Sequence, residues 1–171
     1  LTLTSATPVL SADVTAATAV YYTPYTSDIV PIYDGTQFNL QQFTELTLTL
    51  ASQHTASNIF DMFIIHDVGT VRIVTGPAWS VATAGSGARG TGAGTTELTR
   101  LRGIWVNANA MATARNGAST YSVNANEGTY VGTIFIDGTN GQVTCHFSLG
   151  TSRKWGIWNA YNRKPIILEV S

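Results

Sequence analysis

The sequence predicts an all-β chain, a single antiparallel β-sandwich of jelly-roll-like type built from about ten short strands with long Gly/Ala/Asn-rich loops. Three observations predict it. Only 11% of the residues are charged, against about 25% in ordinary soluble domains, and Thr, Gly, Ala and Asn fill the gap. Thr-rich, β-branched composition suits a pleated surface and disfavours helix. Apolar and polar residues alternate with period two from end to end, which places one face of each strand in a core. Turn residues then punctuate the alternating runs. A chain of 171 residues is long enough to bury a core without disulfides or metal.

The elements follow in order. Leu1 to Thr4 alternates, and Ala19 to Tyr22 and Ile29 to Tyr33 form short strands, with Pro24 and Pro31 confining them to edges or ends. Asp34-Gly35 turns the second into Gln37 to Leu40, a hairpin. Leu46 to Leu50 alternates again. Ile59 to His66 is apolar on both faces except at Asp61, as a central strand is. Asp67-Val68-Gly69 turns it into Thr70 to Val74. Later strands are Ile104 to Val106, Tyr130 to Ile136 and Gln142 to Leu149, the last two joined through Asp137 to Gly141, then Trp155 to Trp158 and Ile166 to Val170. Weak helical turns are expected at Asp13–Thr18, near Thr96–Leu101 and at Asn159–Arg163. Ala82–Thr95 and Asn107–Asn126 are expected as loops, where binding surfaces tend to lie.

Residues 1–171 are expected to form one domain, cut from a longer chain, because the sequence opens inside the Leu1-Thr2-Leu3-Thr4 alternation without Met and stops after an apolar run. Net charge is -1, which favours association. Charge is also split along the chain. Residues 1–71 carry six acids and no Lys or Arg, whereas all nine basic residues and four acids follow from Arg72 onward. That split favours contact between the halves or between copies, or is drift of composition within one fold. Lys and Arg form no stripe, so nucleic acid is not an expected partner. No apolar run reaches transmembrane length, so membrane insertion is not expected. The lone Cys145 excludes an intrachain disulfide and reads as a small buried hydrophobe.

Catalytic motifs fail one by one. Gly85-Ser86-Gly87-Ala88-Arg89-Gly90 matches G-x-G-x-x-G literally but lacks the surrounding strand and helix that dinucleotide binding needs, so no cofactor is expected. Asp61, His66, Asp67 and His146 are the one conceivable metal or acid–base group, yet Asp61 and His66 lie on opposite faces of a strand and no metal-ligand spacing occurs. His54 falls in a polar turn. Cys145 and His146 are adjacent in a strand and point apart, a poor nucleophile–base pair. No nucleophile elbow is present, so no catalytic residue is assigned and an enzyme is not expected.

The aromatic residues carry more. Trp155, Trp158 and Tyr161 recur at spacing three, with Trp79, Trp105, Tyr21, Tyr22 and Tyr25 elsewhere. Trp79, Trp155, Trp158 and Tyr161 are the candidate glycan or interface contacts, since exposed rings stack on sugars and anchor interfaces. The alternative is a seal at the edge of the core.

Several segments, in order, cover nearly the whole chain. They include Leu1-Thr2-Leu3-Thr4-Ser5, Tyr21-Tyr22-Thr23-Pro24-Tyr25, Pro31-Ile32-Tyr33-Asp34-Gly35-Thr36, Gly76-Pro77-Ala78-Trp79, Gly128 to Thr133 and Trp158-Asn159-Ala160-Tyr161-Asn162-Arg163. Together they resemble a domain of phage and prophage virion structural proteins, of tail fibre, head fibre or decoration type. The resemblance implies an exposed virion role in assembly and host attachment, with other virion proteins and further copies of the chain, as a homotrimer, as partners. It carries no catalytic residues. The rival expectations are a carbohydrate-binding module recognising host surface polysaccharide and, behind it, a polysaccharide depolymerase.

Overall fold

The computed structural model describes residues 1–80, 89, 98–150 and 152–161, and among them no residue is α-helical. The strands, in chain order, are β1 (Val14–Ala17), β2 (Ala19–Tyr22), β3 (Ile29–Tyr33), β4 (Phe38–Gln42), β5 (Leu46–Thr49), β6 (Ile59–Asp67), β7 (Thr70–Ala78) and β8 (Leu98–Leu101). They continue as β9 (Ile104–Asn107), β10 (Met111–Asn116), β11 (Ser119–Val123), β12 (Thr129–Phe135), β13 (Val143–His146), β14 (Lys154–Trp155) and β15 (Ile157–Asn159). Among the described residues fifteen short strands replace the ten or so expected.

Eight of them form one sheet, ordered β11-β10-β7-β6-β12-β9-β8, with β15 sharing the outer edge of β12 with β9. Three small sheets accompany it, β1-β13-β14, β2-β5 and β3-β4. All these pairings are antiparallel. The fold is thus all-β, with several sheets where one sandwich was expected. Short strands ended by Pro24, turns and bulges cannot extend into one long second sheet.

The central strand β6 is buried from Phe60 to Ile65. Its residues alternate between two cores, as period two requires. Phe60, Met62 and Ile64 join Ile73, Val131 and Ile134 of the large sheet against Val20, Leu48, Val30, Ile32, Val143 and Cys145 of the small ones. The main core therefore lies between the large sheet and the small sheets. Phe63 and Ile65 point to the other face, with Val74, Met111, Ala114, Val123 and Tyr130. Fully burying one such aliphatic or aromatic side chain contributes about 1.5–3 kcal/mol.

Both expected hairpins form. Ile29 to Tyr33 pairs in full register with Phe38 to Gln42, and Asp34 Oδ1 caps the turn by accepting the Thr36 and Gln37 N–H groups. β6 pairs with β7 around Val68 (φ 42°) and Gly69 (φ 81°). Several expectations are corrected. The turn at Asp13–Thr18 holds β1, whose Val14 and Ala17 pair with Cys145 and Val143 of β13. Leu98–Leu101, part of the second expected turn, is β8, and Asn159 closes β15. Asn107–Asn126 is no loop but contains the β10–β11 hairpin, closed at Gly117 and Ala118, with Met111 and Ala114 buried. Leu1 to Thr4 makes only a bridge, Thr2 to Tyr21. Gln142 to Leu149 shortens to β13, and the Trp155–Trp158 segment splits at Gly156. Ile166 to Val170 and most of Ala82–Thr95 lie outside the described residues.

Candidate functional site

Two tyrosines of the Tyr21–Tyr25 run, Tyr22 and Tyr25, set the site together with Tyr161. β2 ends at Tyr22, Pro24 stops the strand, and the following loop carries Tyr25 to the mouth of a groove of about 370 Å³. Ile29 to Pro31 of β3 line it together with Thr129, Val131, Asn159 and Tyr161. The floor is aromatic, because Tyr22 stacks on Phe43 with ring centroids 4.9 Å apart. Tyr25 and Tyr161 stay open, 56% and 54% exposed. Burial raises the phenol of Tyr22 above its ordinary value, and the neighbouring Tyr161 phenol raises it further. Burial likewise raises Tyr161, with the Trp105 backbone and Arg100 pulling the other way. Both phenols therefore stay protonated around neutral pH and can donate as well as accept hydrogen bonds. The volume suits a small ligand or part of a larger one.

Of the four aromatic residues proposed from the sequence, the groove takes Tyr161. Trp158 sits in β15 opposite Thr133, and Trp155 sits in β14 opposite Cys145, so adjacent tryptophans serve different sheets. Each is about half exposed. Gly156 between them is the crossing point. Its N–H donates to the Thr144 carbonyl in the small sheet, and its carbonyl accepts from Phe135 in the large one. A Cβ there would lie 2.6 Å from the Thr144 carbonyl oxygen and 2.5 Å from Val143 Cγ1, so only glycine permits so close an approach. Trp79 is half-buried, with the Arg89 guanidinium 4.8 Å above its ring. Its indole Nε1 is buried and makes no hydrogen bond to another described residue.

Under Trp79 lies a buried polar group. Asp61 is fully buried, accepting from Thr133 Oγ1 at 2.7 Å and from Arg89 Nε at 3.0 Å. Tyr130 Oη meets Thr133 at 2.7 Å, and its ring lies 5.8 Å from the Arg89 guanidinium. Burial raises the Asp61 carboxyl above its usual range, while the Thr133 hydroxyl and the Arg89 guanidinium pull it down. All polar atoms of Asp61 are thus engaged in holding the fold.

The other titratable groups stay apart. Asp67 pairs with Arg72 at 2.9 Å, and His146 Nε2 bonds Thr15 Oγ1 at 2.7 Å. His54 lies in the turn that follows Ala51 and is fully buried there, bonded through Nδ1 to the Ala51 N–H and through Nε2 to Thr75 Oγ1. Cys145 is buried. Among the described residues no three His, Cys, Asp or Glu side chains gather to hold a metal, and no helix is long and apolar enough to cross a membrane. Comparison with family models, with curated proteins and with solved structures finds no match.

Proposed function

We propose that this chain is a structural and adhesive domain of a bacteriophage virion protein, of tail fibre or head fibre/decoration type, that holds host surface glycan at the tyrosine groove. The open rings of Tyr25 and Tyr161 over the stacked Tyr22–Phe43 floor are the observation that carries it, since aromatic faces with a polar tip suit sugar rings. In this proposal the large sheet and the small sheets packed on it act as one jelly-roll-like sandwich, and the chain works on the virion surface without catalysis. Low charge and the split between an acidic and a basic half support assembly with further copies, as a homotrimer, and with other virion proteins.

A glycan array of bacterial surface polysaccharides tests the adhesive role. Wild type is expected to bind, and Tyr25→Ala and Tyr161→Ala to lose binding at unchanged melting temperature. No binding, or binding indifferent to both substitutions, overturns it. Light scattering tests assembly separately, because a monomer at micromolar concentration contradicts the trimer. The same groove also supports a free-standing carbohydrate-binding module, which trimeric mass would disfavour.

A further inference from the structure

We propose that a second, polar cleft continues the tyrosine groove, and that the two together form a track for a hydroxyl-rich oligosaccharide lacking acidic groups. This rests on the glycan-holding proposal and names the class of its ligand. The cleft, about 330 Å³, is lined by Tyr33, Asp34, Asn39, Gln41, His66 and Glu127. It adjoins the groove through the chain itself. The groove uses Ile29, Val30 and Pro31 of β3, and the cleft uses the next residues, Ile32 and Tyr33. Likewise Thr129 and Val131 belong to the groove, and Glu127 belongs to the cleft. The Thr129 hydroxyl donates to the Pro31 carbonyl and fixes the two segments together. From Ile29 to Tyr33 a strand rises about 13 Å, longer than one sugar ring.

The cleft offers what vicinal hydroxyls need, acceptors beside groups that both donate and accept. Asp34 is held rigid by the Thr36 and Gln37 N–H groups and by Asn39 Nδ2 at 2.7 Å, and Asn124 Nδ2 holds Glu127 at 2.9 Å. The Gln41 and His66 side chains make no hydrogen bond to another described residue in the structure and face the cleft ready for a ligand. Tyr33 supplies a ring, tilted on Phe38 at 5.3 Å. Two carboxylates and no Lys or Arg line the cleft, so a uronate or phosphate would meet like charge.

The experiment is the same polysaccharide array, divided into neutral or amine-bearing and acidic members, probed with wild type, Tyr25→Ala and the double variant Gln41→Ala/His66→Ala. The double variant changes side chains without bonds in the fold, and its melting temperature is expected to match wild type. Wild type should bind neutral or amine-bearing members, with the double variant at least tenfold weaker. Binding confined to acidic members overturns the ligand class. Binding lost in Tyr25→Ala but intact in the double variant overturns the cleft and leaves the groove standing. No binding by wild type removes the groove, and the track with it.

Discussion

Arg89 Nε lies 3.0 Å from Asp61 Oδ2, and the two side chains differ in burial, 38% of one exposed and none of the other. Arg89 falls in the glycine-rich run that matches G-x-G-x-x-G literally, yet it turns inward to neutralise a carboxylate on the central strand. Removing it strands that charge. Arg89→Ala is expected to cost about 2–4 kcal/mol, the partial exposure of the guanidinium placing it below the fully buried case. Asp61→Asn in the Arg89→Ala background should recover much of the loss, because the Thr133 bond survives and no charge is left unpaired. Urea denaturation of the four proteins checks this.

Val68 occupies the first position of the β6–β7 turn at φ 42°, 96% exposed. A β-branched residue in the left-handed region is strained, at roughly 1–2 kcal/mol, and touches nothing that would offset the strain. Val68→Asn, which makes the turn Asn-Gly, is expected to stabilise by about 1 kcal/mol. A melting temperature unchanged or lowered would contradict this.

Burial lowers the His54 pKa below its ordinary value, with Arg115 adding to the effect and the Ala51 N–H bond opposing it. The folded state holds the ring neutral while the unfolded chain takes up a proton near the usual value of about 6.5. Stability attributable to His54 is therefore complete above that pH and falls as pH drops below it toward the depressed folded value. Asp61 works in the opposite sense. Its raised folded pKa means that the folded state binds its proton first, so stability rises on acidification through the interval between the unfolded and folded values. Between pH 7.5 and 5 the denaturation midpoint of His54→Gln should fall less, or rise more, than that of wild type, because only the His54 contribution is removed.

Gly156→Ala forces a methyl group against backbone at Thr144 and is expected to cost about 1–3 kcal/mol. The loss should appear first as a change in Trp155 and Trp158 fluorescence, because β14 and β15 pivot there. An unchanged spectrum at reduced stability would show that the strain is absorbed elsewhere.

The hairpins at Asp34-Gly35 and Asp67-Val68-Gly69 were legible because turn chemistry and alternation agreed over a few residues. The β10–β11 hairpin carried the same signal, Asn116-Gly117, but its small Ala, Thr and Ser residues hid the strand periodicity. β1 was obscured likewise, and its partner β13 is set by contacts that no local pattern records. His54, flanked by Ser52, Gln53 and Thr55, has surface-like neighbours; only Thr75 from β7 gives its ring a place inside. Tyr22, Tyr25 and Tyr161 are visible as aromatics in the sequence, but their convergence on one groove is set by tertiary packing that no local pattern records. The tryptophans drew more notice than the tyrosines because size and spacing are visible in one dimension and enclosure is not.

The pairing of β1 with β13 also sets a timetable. Thr15 and His146, bonded side chain to side chain, are 131 residues apart. At a ribosomal rate of about 5–20 residues per second, β1 leaves the exit tunnel roughly 7–26 seconds before its partner exists. Until then its edge stays unmatched in a nascent chain with few charges to hold copies apart. Four residues of Val, Thr and Ala make a poor template for a neighbouring strand, so brevity here protects the newborn chain while it waits.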